Sequence, residues 1–153
     1  MTDMTSDTLV SVKDLSVAFT QAGKTNLALD RISFDIRKGE TVALVGESGS
    51  GKSISALSIL KLLPYPAASH PSGEILYRGD DLLKADEKAM RKVRGNEISM
   101  IFQEPMTSLN PLHTVERQVS EILKVHRGMS DTKARARVLE LLNQVGIHDP
   151  ESR

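Results

Sequence analysis

The octapeptide GESGSGKS at residues 46–53 constrains this chain more than any other feature. It satisfies G-x-x-x-x-G-K-[ST] at every fixed position. Its surroundings agree. TVALV (41–45) is a short continuous apolar run, the pattern of a strand buried on both faces, and SISALSILKLL (53–63) reads as a helix. In that helix Ile54, Leu57 and Leu60 recur at helical spacing, and Pro64 stops it. A merely flexible glycine/serine stretch predicts neither this strand–loop–helix order nor a lysine at 52.

The chemistry needs that layout. Gly46, Gly49 and Gly51 let the backbone wrap closely round a phosphate chain, where a Cβ would collide. Glu47, Ser48 and Ser50 contribute mainly backbone N–H groups, which together form an anion nest at a helix N-terminus. Lys52 is placed to reach the β- and γ-phosphates, and the Ser53 hydroxyl to ligate Mg²⁺. The expected ligand is a nucleoside triphosphate, ATP in the first instance, with Mg²⁺.

Composition narrows the alternatives. The 153 residues suffice for one compact domain, and 20 basic against 20 acidic side chains leave no net positive field for nucleic acid. The absence of cysteine excludes disulfides, thiolate metal sites and a cysteine nucleophile, and is compatible with a reducing cytoplasm. MTDMTSDTLV carries acids and no apolar core, so it is no secretory signal, and no run approaches the ~18 apolar residues of a membrane span. The four histidines (70, 113, 126, 148) do not cluster at metal-ligand spacing. Lys133, Arg135 and Arg137 read as a solvated helix face.

Along the chain, residues 1–8 read as a polar, frayed terminus. LVSVKDLSVAF (9–19) alternates as a strand with a slip near Asp14 that indicates a bulge. RISFDIR (31–37) is a second strand, QAGKTN (21–26) a turn or short loop, and Lys38-Gly39-Glu40 another turn. Residues 64–72 form a proline-containing loop. GEILYRG (73–79) and EISMIF (97–102) read as strands, ADEKAMRKVR (85–94) as a polar helix, and 104–113 as an irregular loop. Helices are expected at about 114–126 and 131–145. In the second, Ala134, Val138, Leu141, Leu142 and Val145 share one face and Gly146 suits the C′ position.

The phosphate loop does not choose among GTPases, kinases and transport ATPases. None of the asparagines stands in the N-K-x-D element that reads guanine. The remaining segments resemble the ATP-binding subunit of ABC transporters: LSVAF (15–19), ISFDIRKGETVALVGESGSGKS (32–53), SGEILYRGDDL (72–82) and above all ISMIFQEPMTSLNP (98–111). The EPMTSLNP extension resembles the dipeptide/oligopeptide/nickel importer branch.

That resemblance implies an α/β, P-loop NTPase fold. Its parts would be an N-terminal antiparallel β arm with the phosphate-loop core (9–103), a partial central sheet, and a Q-loop followed by the start of a helical subdomain (104–153). It implies that Phe19 stacks on adenine; from the residue alone, Phe19 reads rather as a plain core side chain at a strand end. It implies that Gln103 is catalytic and approaches Mg²⁺ and the attacking water; by itself Gln103 is a solvated loop amide. Implied partners are membrane-spanning permease subunits gripped through the Q-loop region and a second ATP-binding subunit, as a homo- or heterodimer. The implied place is the cytoplasmic side, peripheral on the inner face of the membrane.

The family pattern also continues beyond what stands here. No L-S-G-G-Q signature, no Walker B run ending in Asp-Glu and no switch histidine occurs in these residues. The expectation is therefore the front half of an ATPase that couples ATP binding and hydrolysis to import of peptides or similar solutes. The alternative is a non-catalytic truncated remnant that binds nucleotide or a membrane partner without turnover.

Overall fold

The computed structural model describes residues 7–102 and 109–152. They fall into two compact units that divide between Ile98 and Ser99.

The first unit is built on β1 (Thr8–Gln21) and β2 (Lys24–Arg37), antiparallel along their whole length and closed by a two-residue turn. Ala22 and Gly23 both take positive φ, 50° and 76°, as a twist-matched hairpin turn requires. The strands therefore run further into QAGKTN than composition predicts.

The slip near Asp14 is real and has a matching partner. Asp14 and Arg31 both sit at φ 45°, and the pairing register shifts between Val12 and Leu15. Val10 and Val12 face the core from even positions, whereas Leu15 and Val17 face it from odd ones. Opposite them, buried Leu29 changes parity to the inward-packing Ile32, Phe34 and Ile36. Serine hydroxyls satisfy the displaced backbone: Asp14 N–H donates to Ser33 Oγ at 2.8 Å and Arg31 N–H to Ser16 Oγ at 3.1 Å.

β1 is central. Its other edge pairs with β3 (Ala68–Ser69) and β4 (Glu74–Tyr77), and β4 pairs with β5 (Asp80–Asp81), all antiparallel. Gly73 makes the approach possible. At φ 94°, a Cβ there would lie 2.5 Å from Asp14 O and 2.5 Å from Leu15 Cα.

Two short helices cover this sheet's core. The first, α1 (Lys52–Ile59), ends earlier than Pro64 alone would place it. Lys61 takes φ 49°, Leu62 N–H donates to Leu57 O at 2.9 Å and Lys61 N–H to Ser58 O at 3.0 Å. That is a Schellman stop with lysine in the left-handed position glycine usually takes. The second helix, α2 (Glu87–Val93), is capped by Asp86, which accepts from Ala89 N–H at 2.7 Å. Leu15, Ile75 and Met90 are wholly buried in one cluster. Each contributes about 1.5–3 kcal/mol of transfer free energy.

Two expected strands do not form. TVALV pairs with no strand among the described residues, and Val45 is 89% exposed. In EISMIF only Ile98 makes a bridge, to Arg94, while Ile101 is 95% exposed. An apolar run becomes a strand only when a neighbouring backbone takes its N–H and C=O groups. Every described strand is already engaged in the antiparallel sheet.

The second unit is a helical hairpin of α3 (Val115–Arg127) and α4 (Asp131–Gln144). Thr114 caps α3 by accepting from Arg117 N–H at 3.2 Å. Ala134, Val138 and Leu142 form the buried stripe of α4, and Gly146 takes the C′ position at φ 79°. Val145 does not join that stripe. It is the C-cap residue, where the chain leaves the helix, and it is 72% exposed.

Candidate functional site

The residues at 46–53 are held from two sides. Below, Gly51 is buried at φ 90° against β2, and a Cβ on it would strike the Leu29 side chain. Behind, the Gly51 carbonyl accepts from both Ser55 N–H and Ser55 Oγ, each at 2.9 Å. Gly51 therefore passes the chain into α1 at a fixed angle. No side chain caps the helix start, so its first N–H groups remain directed into the loop.

Within the loop, Ser50 N–H donates to Glu47 O at 3.2 Å and closes a turn. Gly46 packs beneath it, since a Cβ there would lie 2.6 Å from Ser50 Oγ. The Lys52 ammonium lies across the opening. It donates to Gly46 O at 2.8 Å, Glu47 O at 2.7 Å and Ser50 Oγ at 3.3 Å. A cation is thus folded onto carbonyls at the mouth of a loop that carries uncapped helix amides. Glu47, Ser48, Gly49, Ser50 and Ser53 are exposed around it.

These features fit a polyphosphate. The glycines leave room for it, the amides supply neutral donors, Lys52 supplies charge, and the Ser53 hydroxyl is open to a hydrated divalent cation. Among the described residues no three His, Asp or Glu side chains cluster as an all-protein metal cage.

The other expected site residues fare differently. Phe19, near the end of β1, pairs with Asn26 and Ala68 and is partly buried against the hydrophobic core. Gln103 lies outside the described residues. Among the described residues, Gln118 of α3 holds the segment from Asn110 to His113. Asn110 N–H donates to Gln118 Oε1 at 2.9 Å, and Gln118 Nε2 donates to Asn110 O and His113 O, both at 3.0 Å. Leu29 was missing from the sequence reading of the site. Its sign was its parity, out of step with Ile32, Phe34 and Ile36.

Comparison with known proteins agrees with this geometry. The ABC transporter family model matches residues 29–153. The chain belongs to the ABC transporter family. It is 64% identical over 153 residues to the peptidoglycan transport ATP-binding protein YejF of Agrobacterium fabrum, covering 100% of this chain and 28% of that protein. It is 49% identical over 145 residues to the oligopeptide transport ATP-binding protein OppD of Bacillus subtilis, covering 95% of this chain and 40% of that one. Among solved structures, the dimeric post-hydrolysis state of the ATP-binding cassette MJ0796 bound to ADP and Pi matches with a TM-score of 0.71 and 28% identity, over 88% of this chain and 56% of that one. The chain thus spans 28% and 40% of the lengths of these two curated relatives. No helix among the described residues is long and apolar enough to cross a membrane.

Proposed function

We propose that this chain is the nucleotide-binding front part of an ABC transporter ATPase that powers import of peptides or similar small solutes. The observation that carries the reading is Lys52, held by Gly46 O and Glu47 O across a glycine loop at the uncapped start of α1. In this reading the ammonium leaves those carbonyls for the β- and γ-phosphates of ATP. The loop amides of Gly46–Ser53 take the remaining phosphate oxygens, and Ser53 binds Mg²⁺, which neutralises charge on the phosphates. Phe19 supplies a stacking face for the base. Gln103 orients water and the Mg²⁺ shell and, with the loop beyond it, meets a membrane-spanning permease on the cytoplasmic face. A second ATP-binding subunit completes the assembly. The relatives named for oligopeptide and peptidoglycan transport support the choice of cargo class.

Titration of the chain with a fluorescent ATP analogue and Mg²⁺ tests the core of this reading. Lys52→Ala removes most of the affinity, because it deletes the charge that meets the phosphates. Equal binding by wild type and Lys52→Ala would overturn it.

The uncovered Thr41–Val45 run favours a second reading for these 153 residues taken by themselves: nucleotide binding without turnover. Phosphate release by these 153 residues above the rate of the buffer alone would overturn this second reading.

A further inference from the structure

A helix that presents an anion site at its N-terminus has to be held at its other end. In α1 its own sequence does not do this. The helix has eight residues, well short of the ~12–15 at which an isolated helix becomes marginal, and no basic residue in its last turn. Its Schellman stop satisfies Leu57 O and Ser58 O. The carbonyls of the two residues that follow the helix are taken by a distant side chain: Arg94 Nε donates to Leu60 O at 2.7 Å and Arg94 Nη2 to Lys61 O at 3.0 Å.

Arg94 is itself fixed. It is the C-cap residue of α2, its backbone N–H donates to Met90 O at 2.8 Å, and its third guanidinium nitrogen meets Glu87 Oε1 at 2.9 Å. The attachment is returned from the α1 side. Lys61, in the left-handed position after α1, donates to Leu83 O at 3.1 Å and Ala85 O at 3.0 Å, just before α2 begins. Two cations therefore cross over between the helices, each gripping backbone carbonyls that flank the other's helix. The Arg94 guanidinium lies at the negative end of α1, where positive charge is favourable.

We propose that Arg94 and Lys61 are positioning residues for the phosphate loop. They lock the C-terminal end of α1 to α2, and Arg94 neutralises its partial negative charge. The first turn, with its amides and Lys52, then keeps a fixed place and an undiminished positive potential about 12 Å away along the helix. A mutually crossed pair of this kind transmits position as well as charge. Lysine at 94 retains the charge but lacks the planar fork that reaches Leu60 O, Lys61 O and Glu87 together. The inference rests on the phosphate-loop reading above, and its test separates the two.

Arg94→Ala, Arg94→Lys, Lys61→Met and, as a control on the loop, Lys52→Ala are made in the full 153-residue chain. Amide exchange is followed without nucleotide, and the affinity for a fluorescent ATP analogue is measured with Mg²⁺. Arg94→Ala speeds exchange in Ser55–Ile59 relative to β1 and raises the Kd about fivefold, the size of a helix-end charge interaction. Arg94→Lys recovers part of the affinity and little of the exchange protection. Lys61→Met shows the Arg94→Ala pattern at a smaller size, since it loses two bonds to backbone carbonyls where Arg94→Ala loses three bonds and the charge at the end of α1. If Lys52→Ala binds like wild type, the phosphate-loop reading falls. If Lys52→Ala loses binding while Arg94→Ala and Lys61→Met melt cooperatively and bind like wild type, the positioning inference alone is overturned. Should Arg94→Ala not fold, Lys61→Met decides by the same criterion.

Discussion

β1 and the Thr41–Val45 run are both rich in valine, alanine and leucine, yet they end in opposite states. In β1, Val12, Leu15 and Val17 are at most 1% exposed, with partner strands on both edges. Val45 is 89% exposed and pairs with nothing among the described residues. The apolar content is shared; the neighbours are not. Apolar side chains make burial favourable, but only a second backbone at strand spacing makes a strand.

The contrast can be broken by mutation. The largest effects belong to β1. Leu15→Ala leaves a cavity between β1 and α2 and costs about 2–5 kcal/mol in denaturant unfolding. Gly73→Ala is of comparable size, roughly 3 kcal/mol or more, because its Cβ meets backbone rather than a movable side chain. Caps come next. Asp86→Ala loses the bond to Ala89 N–H and costs about 1 kcal/mol, read from the same unfolding curves.

A smaller effect concerns His70, which lies 2.6 Å from the Tyr65 hydroxyl. Burial first, and then the Lys61 cation, hold its pKa below the ordinary 6.5, against an opposing backbone bond from Ser16. A histidine favoured as neutral in the fold adds stability above pH 6.5 and loses it as pH falls through the lower folded value. The wild type therefore loses more unfolding free energy than His70→Gln between about pH 7.5 and pH 5, by less than about 1 kcal/mol, read from denaturant curves at the two pH values. At the bottom of the scale, Val45→Ala changes stability by no more than about 0.5 kcal/mol. A cost like that of Leu15→Ala would show that Thr41–Val45 is packed after all.

Much of the arm was legible because its signals are local. The Asp14 bulge shows as a break in alternation, and outside the arm the Gly146 stop stands where residue chemistry places it. The Arg31 bulge was equally written, as the parity change from Leu29 to Ile32, but a single buried residue on the far side of it gives little pattern to see. The left-handed Lys61 was not legible, since nothing about lysine announces that conformation. TVALV and EISMIF were misread because apolarity reports a demand for cover and not the presence of a partner. Val145 failed for a geometric reason: its spacing fits the stripe, but the helix ends before it. In the loop itself, G-x-x-x-x-G-K-[ST] encodes steric room and charge together. What it concealed was the resting partner of its lysine.

That partner shapes what the loop can admit. An ammonium has three protons, and Lys52 directs them at two carbonyls and a hydroxyl. An anion arriving at the loop therefore meets no vacant proton on Lys52. It has to displace three oxygen acceptors, and its hold is the difference between its own attraction and theirs. Halides, weak acceptors with a single charge, gain little by that exchange. Oxygens bearing more than one negative charge gain a great deal, because their bonds to the ammonium are charge-assisted from both sides. On the nucleotide-binding reading proposed above, the resting loop thus favours a polyphosphate over chloride.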